Sequence, residues 1–149
     1  MVHKLILIYE NDRVFYDFDN TLAMDTRTST ILLKLALSFS SFPFIFSVIN
    51  FFRTYFMIPN PLFLNIQDDI TILTGRHDYD RTSIDFFIKK HFKFSVALLI
   101  TRSDLATTEV QHKQKYLKDF KVNTYYEDSH IIISYLHEQG FLRSFETME

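Results

Sequence analysis

The sequence contains no cysteine, no tryptophan and only two glycines among its 149 residues, whereas phenylalanine occurs 17 times. The lack of cysteine excludes a disulfide framework and a cysteine-based zinc site, and it fits a reducing compartment. Glycine lies far below its average of about 7 percent. We therefore expect Gly75 and Gly140 to lie where the backbone itself requires glycine.

A strong net charge and a signal peptide are also missing. The formal net charge is −2 and the sequence pI is about 6.3, so no global field recruits nucleic acid or a membrane. The first residues, MVHKLILIYEND, lack the long apolar region and the cleavage site of a signal peptide. We expect a soluble intracellular protein, cytoplasmic or nuclear, that forms one domain with a substantial core.

Short apolar runs alternate with helix signals along most of the chain. Strands are predicted at 4–9, 13–18, 69–74 and 122–126, with the first two as a candidate hairpin, and 95–100 is a strand or a buried loop. Helices are predicted at 80–92, from caps at 104–108 to about 119, and from Ser129 or His130 to Gly140. This alternation predicts an α/β fold with a parallel sheet, whose chemistry lies beyond the carboxyl ends of the strands.

One segment does not fit this alternation. Residues 31–52 read ILLKLALSFSSFPFIFSVINFF, and Lys34 is their only charge. This length approaches the roughly 18 apolar residues of a membrane span, although Pro43 and five polar residues weaken a spanning helix. Three interpretations stay open: a cap or flap of packed helices, a transmembrane or membrane-lying helix, or a segment foreign to the native domain, such as translated intron.

Two aspartates follow the second predicted strand, in the sequence RVFYDFDNTL at 13–22. Asp17 and Asp19 are two residues apart and share a face of an extended chain. Burying both without compensation costs several kcal/mol, so a metal cation or a phosphoryl group is the expected partner. For this motif alone, an Asx-type turn is the competing interpretation.

The other polar motifs also have ordinary structural interpretations when each is taken alone. Thr74-Gly75 is compatible with a turn, Lys113 and Lys115 with solvated helix charges, and Glu127-Asp128 with a helix start. The six histidines show no metal-ligand spacing and are predicted to lie on the surface or in the core. The functional interpretation depends on the order of the motifs and on their positions at strand ends.

In that order the motifs resemble the haloacid dehalogenase-like (HAD) superfamily of phosphohydrolases. The matching residues are DFDNTL at 17–22, TILTGR at 71–76, a lysine before the penultimate strand and an acid after it. The chain resembles more closely the HAD domain of fungal "Swiss Army knife" RNA repair-like proteins, through IPNPLF at 58–63, LTGR at 73–76, HKQKYL at 112–117 and YYED at 125–128. Two departures are Ser129, where that family commonly has Arg, and the early position of His130.

The resemblance covers nearly the whole chain except about 23–56. It implies a single Rossmann-like, three-layer α/β domain over 1–149, with a parallel sheet and a hydrophobic insertion at 23–56 after the first motif strand. It also implies a phosphorylated substrate, with a nucleic-acid phosphate end such as RNA as one candidate. Arg76, Arg81, Lys89, Lys90 and Lys93 form a candidate basic edge for such a substrate. The alternative is a catalytically inactive HAD-fold module that binds or assists.

The resemblance further implies a role for each motif residue. Asp17 would be the nucleophile that forms an aspartyl-phosphate. Asp19 would act as acid and then as base, and its closeness to Asp17 should raise one pKa of the pair. Lys113, with Lys115 as the alternative, would offset charge in the transition state. The residues expected to bind phosphate or substrate are Thr74, Gly75, Arg76, Asn20 and Asn60.

The implied cofactor is Mg²⁺, which prefers oxygen ligands and retained waters. Its ligands would be Asp17, the backbone carbonyl of Asp19, and Asp128, with Glu127 assisting through water. This expectation has a geometric test. The carboxyl groups of Asp17 and Asp128 must lie within about 6 Å of each other, because oxygen–Mg distances are near 2 Å.

Overall fold

A computed structural model describes residues 1–104 and 106–148 of the chain. Within these ranges it contains eight strands, five α-helices and two short 3-10 helices. The strands are β1 His3–Leu7, β2 Val14–Tyr16, β3 Ala23–Met24, β4 Ile58–Pro59, β5 Ile70–His77, β6 Val96–Arg102, β7 Thr124–Glu127 and β8 Leu142–Thr147. The α-helices are α1 Arg27–Ser38, α2 Pro43–Phe56, α3 Arg81–His91, α4 Glu109–Asp119 and α5 His130–Glu138, and the 3-10 helices are Pro61–Phe63 and Asp78–Asp80.

The central sheet has six strands in the order β6-β5-β2-β7-β1-β8. The four strands from β6 to β7 are parallel, whereas β1 runs antiparallel to both β7 and β8. The fold is therefore α/β with a mostly parallel sheet, as the sequence predicts. This architecture is compatible with a Rossmann-like fold.

One interpretation of the sheet was wrong, and one strand was not predicted. The first two strands do not form a hairpin, because β7 lies between β1 and β2. The connection between them instead wraps around the start of β7: the Asn123 amide side chain donates to the Tyr9 carbonyl, and the Asn123 backbone N–H donates to the Arg13 carbonyl. The edge strand β8 was not predicted, because five of its six residues are exposed and no apolar alternation marks it.

Helices cover both faces of the sheet, because successive strand residues point to opposite sides. Ile72 belongs to the core that α3 covers, and its neighbour Leu73 belongs to the core under α4 and α5. Tyr16 and Tyr126 stack against each other on the first face, with ring centres 4.8 Å apart. The two cores pack against opposite faces of the sheet and position the ends of its strands.

The predicted ends of several elements are close to those observed. The segment 95–100, predicted as a strand or a buried loop, forms a strand from Val96 onward. Thr108 caps α4 through a reciprocal pair of hydrogen bonds with Gln111. Gly140 follows α5 with φ +75, a conformation that favours glycine. Strand β5 extends to His77, beyond the expected stop at Gly75, so Thr74 lies inside the strand rather than after it.

The hydrophobic segment folds into a helical hairpin, which we define as α1, α2 and their connection, residues 27–56. Pro43 begins α2, because proline fits the first turn of a helix but breaks the interior of one. The pairing of Ala23 with Pro59 and of Met24 with Ile58 closes the base of the hairpin. In the described ranges, no helix is both long enough and apolar enough to cross a bilayer.

Candidate functional site

A cavity of about 310 Å³ opens at the carboxyl ends of the parallel strands. In sheets of this kind the strand ends meet at one edge, so residues distant in sequence are brought together there. The helical hairpin forms one wall of the cavity through α2. The lining residues are Asp17, Asp19, Asn20, Phe46, Asn50, Arg53, Gly75, Arg76, His77, Asp80, Arg102, Glu109, Glu127, Asp128 and Ser129.

Three carboxylates cluster at the bottom of this cavity. Asp17 follows β2, and Glu127 and Asp128 lie at the end of the neighbouring strand β7. One oxygen from each carboxylate lies within 4.8 Å of the others, so the Asp17–Asp128 separation meets the expected limit. Asp17 and Glu127 are buried and Asp128 is half-buried.

The ammonium group of Lys113 lies beside this cluster. Its Nζ is 3.1 Å from Asp17 Oδ1, 2.8 Å from Glu127 Oε2 and 3.0 Å from Glu109 Oε1. The side chain of Lys113 is almost completely buried, whereas Lys115 is exposed and lies over the Tyr116 ring. Of the two candidate lysines, Lys113 is therefore the one placed at the strand ends.

The cluster carries more negative than positive charge. Burial and then the Glu127 carboxylate raise the pKa of Asp17 well above its usual range, although Lys113 opposes this. Burial and then Glu127 also raise the pKa of Asp128, to about 6. Such a group of acids favours either protons or an added cation. An all-oxygen donor set with excess negative charge fits a hard divalent cation such as Mg²⁺.

Asp19 lies in different surroundings from Asp17. Its two carboxylate oxygens accept hydrogen bonds from Arg76 Nε and Nη2 at 2.9 and 2.7 Å, and Arg53 Nη2 lies 3.3 Å away. Burial alone would raise the pKa of Asp19, but Arg76 and then Arg53 lower it to about 2. The acid of the pair with the raised pKa is Asp17, and the Asp19 carboxylate is not part of the three-carboxylate cluster.

The hairpin is joined to the site by buried polar side chains. Arg53 makes a two-pronged contact with Asp25, through Nε at 3.1 Å and Nη2 at 2.8 Å. Asn50 donates to Asp80 at 3.0 Å, and Arg76 Nη1 donates to the Thr54 hydroxyl at 2.6 Å. Residues of α2 therefore hold the arginines and acids that surround the cavity.

Sequence reasoning did not identify Arg53 or Asn50 as site residues. Arg53 is the only charged residue of α2, in an otherwise apolar and polar-neutral helix. A basic residue in the last turn of a helix ordinarily complements the helix dipole. The one feature of the sequence that could have indicated a role for Arg53 is its position as a lone charge in a long apolar segment.

Gly75, in the second motif, lies in close contact with the Glu109 side chain. A Cβ placed on Gly75 would lie 2.5 Å from Glu109 Cγ and 2.8 Å from its Oε1. The Gly75 carbonyl accepts a hydrogen bond from Arg102 Nε at 3.2 Å. Thr74 is buried and is not among the residues that line the cavity, and its hydroxyl oxygen accepts the Arg76 backbone N–H at 3.1 Å.

The remaining predicted residues divide between the cavity and the interior. Asn20 lines the cavity with φ 57 and donates to Asp25 at 3.1 Å. Asn60 is buried outside the cavity lining, where its side chain donates to the Thr21 carbonyl and accepts the Leu62 backbone N–H. Ser129 lines the cavity, and its backbone N–H donates to Glu127.

Of the candidate basic edge, Arg76 is buried, whereas Arg81, Lys89, Lys90 and Lys93 are exposed on or just after α3. Arg76 points into the cavity and contacts Asp19, and Arg81 donates to Thr101. Lys89 pairs with Asp85 on α3, and Lys90 lies over the Tyr55 ring. Among the histidines, His77 lines the cavity and His112 is buried beside Lys113.

No protein-family model, no curated protein and no solved structure matches this chain. The fold and the site by themselves define the class of this protein: an α/β domain with an acidic cleft at the ends of its strands.

Proposed function

We propose that this protein is a Mg²⁺-dependent phosphohydrolase of the HAD type that acts through an aspartyl-phosphate intermediate. The observation that carries the proposal is the meeting of three carboxylates and one ammonium group at adjacent strand ends. Asp17, Glu127 and Asp128 lie within 4.8 Å of one another, and Lys113 contacts Asp17 at 3.1 Å. Their order along the chain matches the HAD motif order.

Asp17 is the proposed nucleophile. One of its carboxylate oxygens attacks phosphorus, the bond from phosphorus to the leaving oxygen breaks, and an acyl phosphate forms on Asp17. Water then attacks that phosphorus and regenerates the carboxylate. Because burial raises the pKa of Asp17, ionised Asp17 needs positive charge, and Lys113 supplies it at 3.1 Å.

The proposed metal ligands are Asp17, Asp128 and Glu127. Bound Mg²⁺ would stabilise negative charge on the phosphoryl oxygens. Arg102 and Arg76 both line the cavity and offer guanidinium groups, which suit phosphate oxygens in a two-pronged contact.

Asp19 is the proposed acid for the leaving oxygen and the proposed base for water. Its carboxylate is held by Arg76 and has a pKa of about 2. Catalysis therefore requires the phosphoryl group to take over hydrogen bonds of Arg76, which frees Asp19 to bind a proton. This exchange of partners is the most demanding step of the proposal.

The test is release of phosphate from p-nitrophenyl phosphate. We expect turnover that depends on Mg²⁺ and that Asp17→Asn abolishes, whereas Asp12→Asn, a matched change at an exposed position, has no effect. A folded wild-type protein that turns over no phosphoester and is not stabilised by beryllofluoride would contradict the proposal. Oligonucleotides with a terminal phosphate belong in the same assay, since a nucleic-acid phosphate end is the substrate that the resemblance implies.

The second candidate is a catalytically inactive module that keeps this fold for binding. One observation favours it: Asp19 is engaged by Arg76 and also lies 3.3 Å from Arg53, which keeps it ionised and opposes acid–base work. In that case the protein would bind phosphate or a phosphoester without turnover. Isothermal titration with phosphate, with and without Mg²⁺, distinguishes binding alone from complete inertness.

A further inference from the structure

Helix α2 has its polar side turned inward and its apolar side turned outward. Asn50, Arg53 and Thr54 are its buried residues, and all three contact groups around the cavity. On the opposite side, Phe44 is 80% exposed and Phe52 is 52% exposed. Helices that pack on a core ordinarily show the reverse arrangement.

The outward side of the hairpin exposes many large apolar side chains, and we call this set of residues the apolar face. Phe44, Val48, Phe51 and Tyr55 follow one another at helical spacings of four, three and four residues, so they form one stripe. Helix α1 and the connection add further exposed side chains. The apolar face consists of Ile31, Leu35, Leu37, Phe42, Phe44, Ile45, Val48, Phe51, Phe52, Tyr55 and Phe56, each at least 39% exposed. A concentration of exposed apolar side chains of this size is typical of an interaction site.

The charged side chains of the hairpin segment itself have one sign, whereas α3 beside it carries Asp85 paired with Lys89. No aspartate or glutamate occurs between Asp25 and Asp68. Arg27 and Lys34 are exposed on α1, and Lys90 of α3 places its ammonium 4.5 Å from the centre of the Tyr55 ring. The apolar face is therefore bordered by cations and would complement an anionic surface.

We propose that the apolar face lies on an anionic lipid surface, with α1 and α2 in the plane of the interface. The helices contain 12 and 14 residues, which correspond to about 18 and 21 Å of helix. Both are shorter than the roughly 30 Å of hydrocarbon in a bilayer, so a helix at the interface is the geometry that they fit. Aromatic and apolar side chains enter the lipid, and the bordering lysine and arginine side chains contact the headgroups.

The charge pattern disfavours a second copy of the chain as the occupant. Two copies paired through this face would place the cations of both copies, such as Lys34 and Arg27, around one shared interface. The segment between Asp25 and Asp68 contains no carboxylate to neutralise them. An anionic lipid surface provides that neutralisation on every side.

The proposal is independent of the phosphatase assignment but concerns the same helix. Arg53 and Asn50 hold the cavity wall from one side of α2, while the apolar face is on its other side. Lipid contact would therefore position the acidic cavity close to the headgroup region.

The experiment is flotation of the full-length wild-type protein with vesicles of phosphatidylcholine alone or of phosphatidylcholine mixed with phosphatidylserine. We expect binding to the mixed vesicles that weakens as salt increases. The double variant Phe44→Asp/Phe52→Asp should reduce binding by about tenfold or more. Phe145→Asp, at an exposed position of β8, is the matched control and should leave binding unchanged.

A second set of variants tests whether the cations beside the apolar face contribute to lipid binding. Lys34→Glu and Lys90→Glu should each weaken binding to mixed vesicles by about fivefold, whereas Lys118→Glu, exposed on α4, should have little effect. Circular dichroism confirms that each variant is folded. Equal binding to neutral and mixed vesicles, or no binding to either, overturns the proposal. A dimer in light scattering that Phe44→Asp/Phe52→Asp dissociates, without lipid binding, also overturns it and assigns the face to a second copy.

Discussion

Arg76 and Asp19 form a two-pronged ion pair in which Nε and Nη2 lie 2.9 and 2.7 Å from the two carboxylate oxygens. The guanidinium also lies over the Phe18 ring, with 5.0 Å from Cζ to its centre, so its plane is fixed by packing as well as by charge. This arrangement sets the pKa of Asp19 to about 2. Whether Asp19 acts as an acid therefore depends on a ligand that can displace it from Arg76.

The first prediction tests Asp19 with two esters. A nitrophenolate leaves without a proton, whereas an alkoxide needs one, so Asp19→Asn should slow cleavage of an alkyl phosphate far more than cleavage of p-nitrophenyl phosphate. The expected additional loss is about 10²-fold or more. Single-turnover release of the two alcohols measures it, and equal losses for the two esters would show that Asp19 does not protonate the leaving group.

The second prediction concerns Arg53. Arg53→Gln removes the cation that contacts Asp25 at 2.8 Å and Asp19 at 3.3 Å, and it leaves both acids with fewer partners. Breaking such a buried pair should lower the free energy of unfolding by about 2 kcal/mol or more. Urea denaturation measures the loss, and Arg27→Gln, exposed on α1, is the control.

The same measurement bears on the origin of the hairpin. If residues 23–56 are native to this domain, Arg53→Gln destabilises it as described, and replacing residues 27–56 with a short Gly-Ser linker destabilises it further. A linker variant that is as stable as the wild type would instead identify the segment as foreign to the domain. The transcript across codons 22–58 answers the same question independently.

The contrast between Arg53 and Asp17 explains what the sequence could and could not predict. Asp17 was identified because its apolar strand, its neighbour Asp19 and its motif are local in the chain. Arg53 depends on Asp25, 28 residues away, and nothing near it in the sequence indicates that contact. The direction of the Asp19 pKa could not be predicted for the same reason, because it is set by arginines that only the fold brings near.

In the sheet, too, features that depend on local sequence could be predicted, and features that depend on distant contacts could not. Alternating apolar residues such as Leu5 and Leu7, both fully buried, predict a strand from local pattern. That β7 inserts between β1 and β2 depends on pairing across more than a hundred residues, which local pattern does not encode.

Asn60 was expected at the substrate because it lies in a recognised motif. The structure uses its side chain to bind the Thr21 carbonyl.

The third prediction compares the two candidate lysines. Lys113→Met leaves Asp17, Glu127 and Glu109 without the ammonium that lies 2.8 to 3.1 Å from them. We expect a loss of turnover of about 10²-fold or more, because charge stabilisation in the transition state is removed. Lys115→Met, at an exposed position, should change the free energy of unfolding by only about 0.5 kcal/mol. Phosphate release and urea denaturation measure the two effects, and similar losses in both variants would contradict this placement of Lys113.

The fourth prediction is a dependence of stability on pH that arises from His112. Burial lowers the pKa of His112, with Arg102 and Lys113 acting in the same direction, although a hydrogen bond with the Thr74 backbone opposes this. In the unfolded chain the pKa of histidine is about 6.5, so below that pH the unfolded state binds a proton that the folded state does not. The stability contributed by neutral His112 is therefore complete above pH 6.5 and falls as the pH decreases.

His112→Asn removes this titration and provides the measurement. Urea midpoints recorded between about pH 7.5 and pH 5 should fall less in His112→Asn than in the wild type, because the unfolded-state pKa near 6.5 no longer contributes. The exposed His137→Asn is the control and should keep the wild-type pH dependence. Parallel curves for the wild type and His112→Asn would mean that His112 binds its proton equally well in both states.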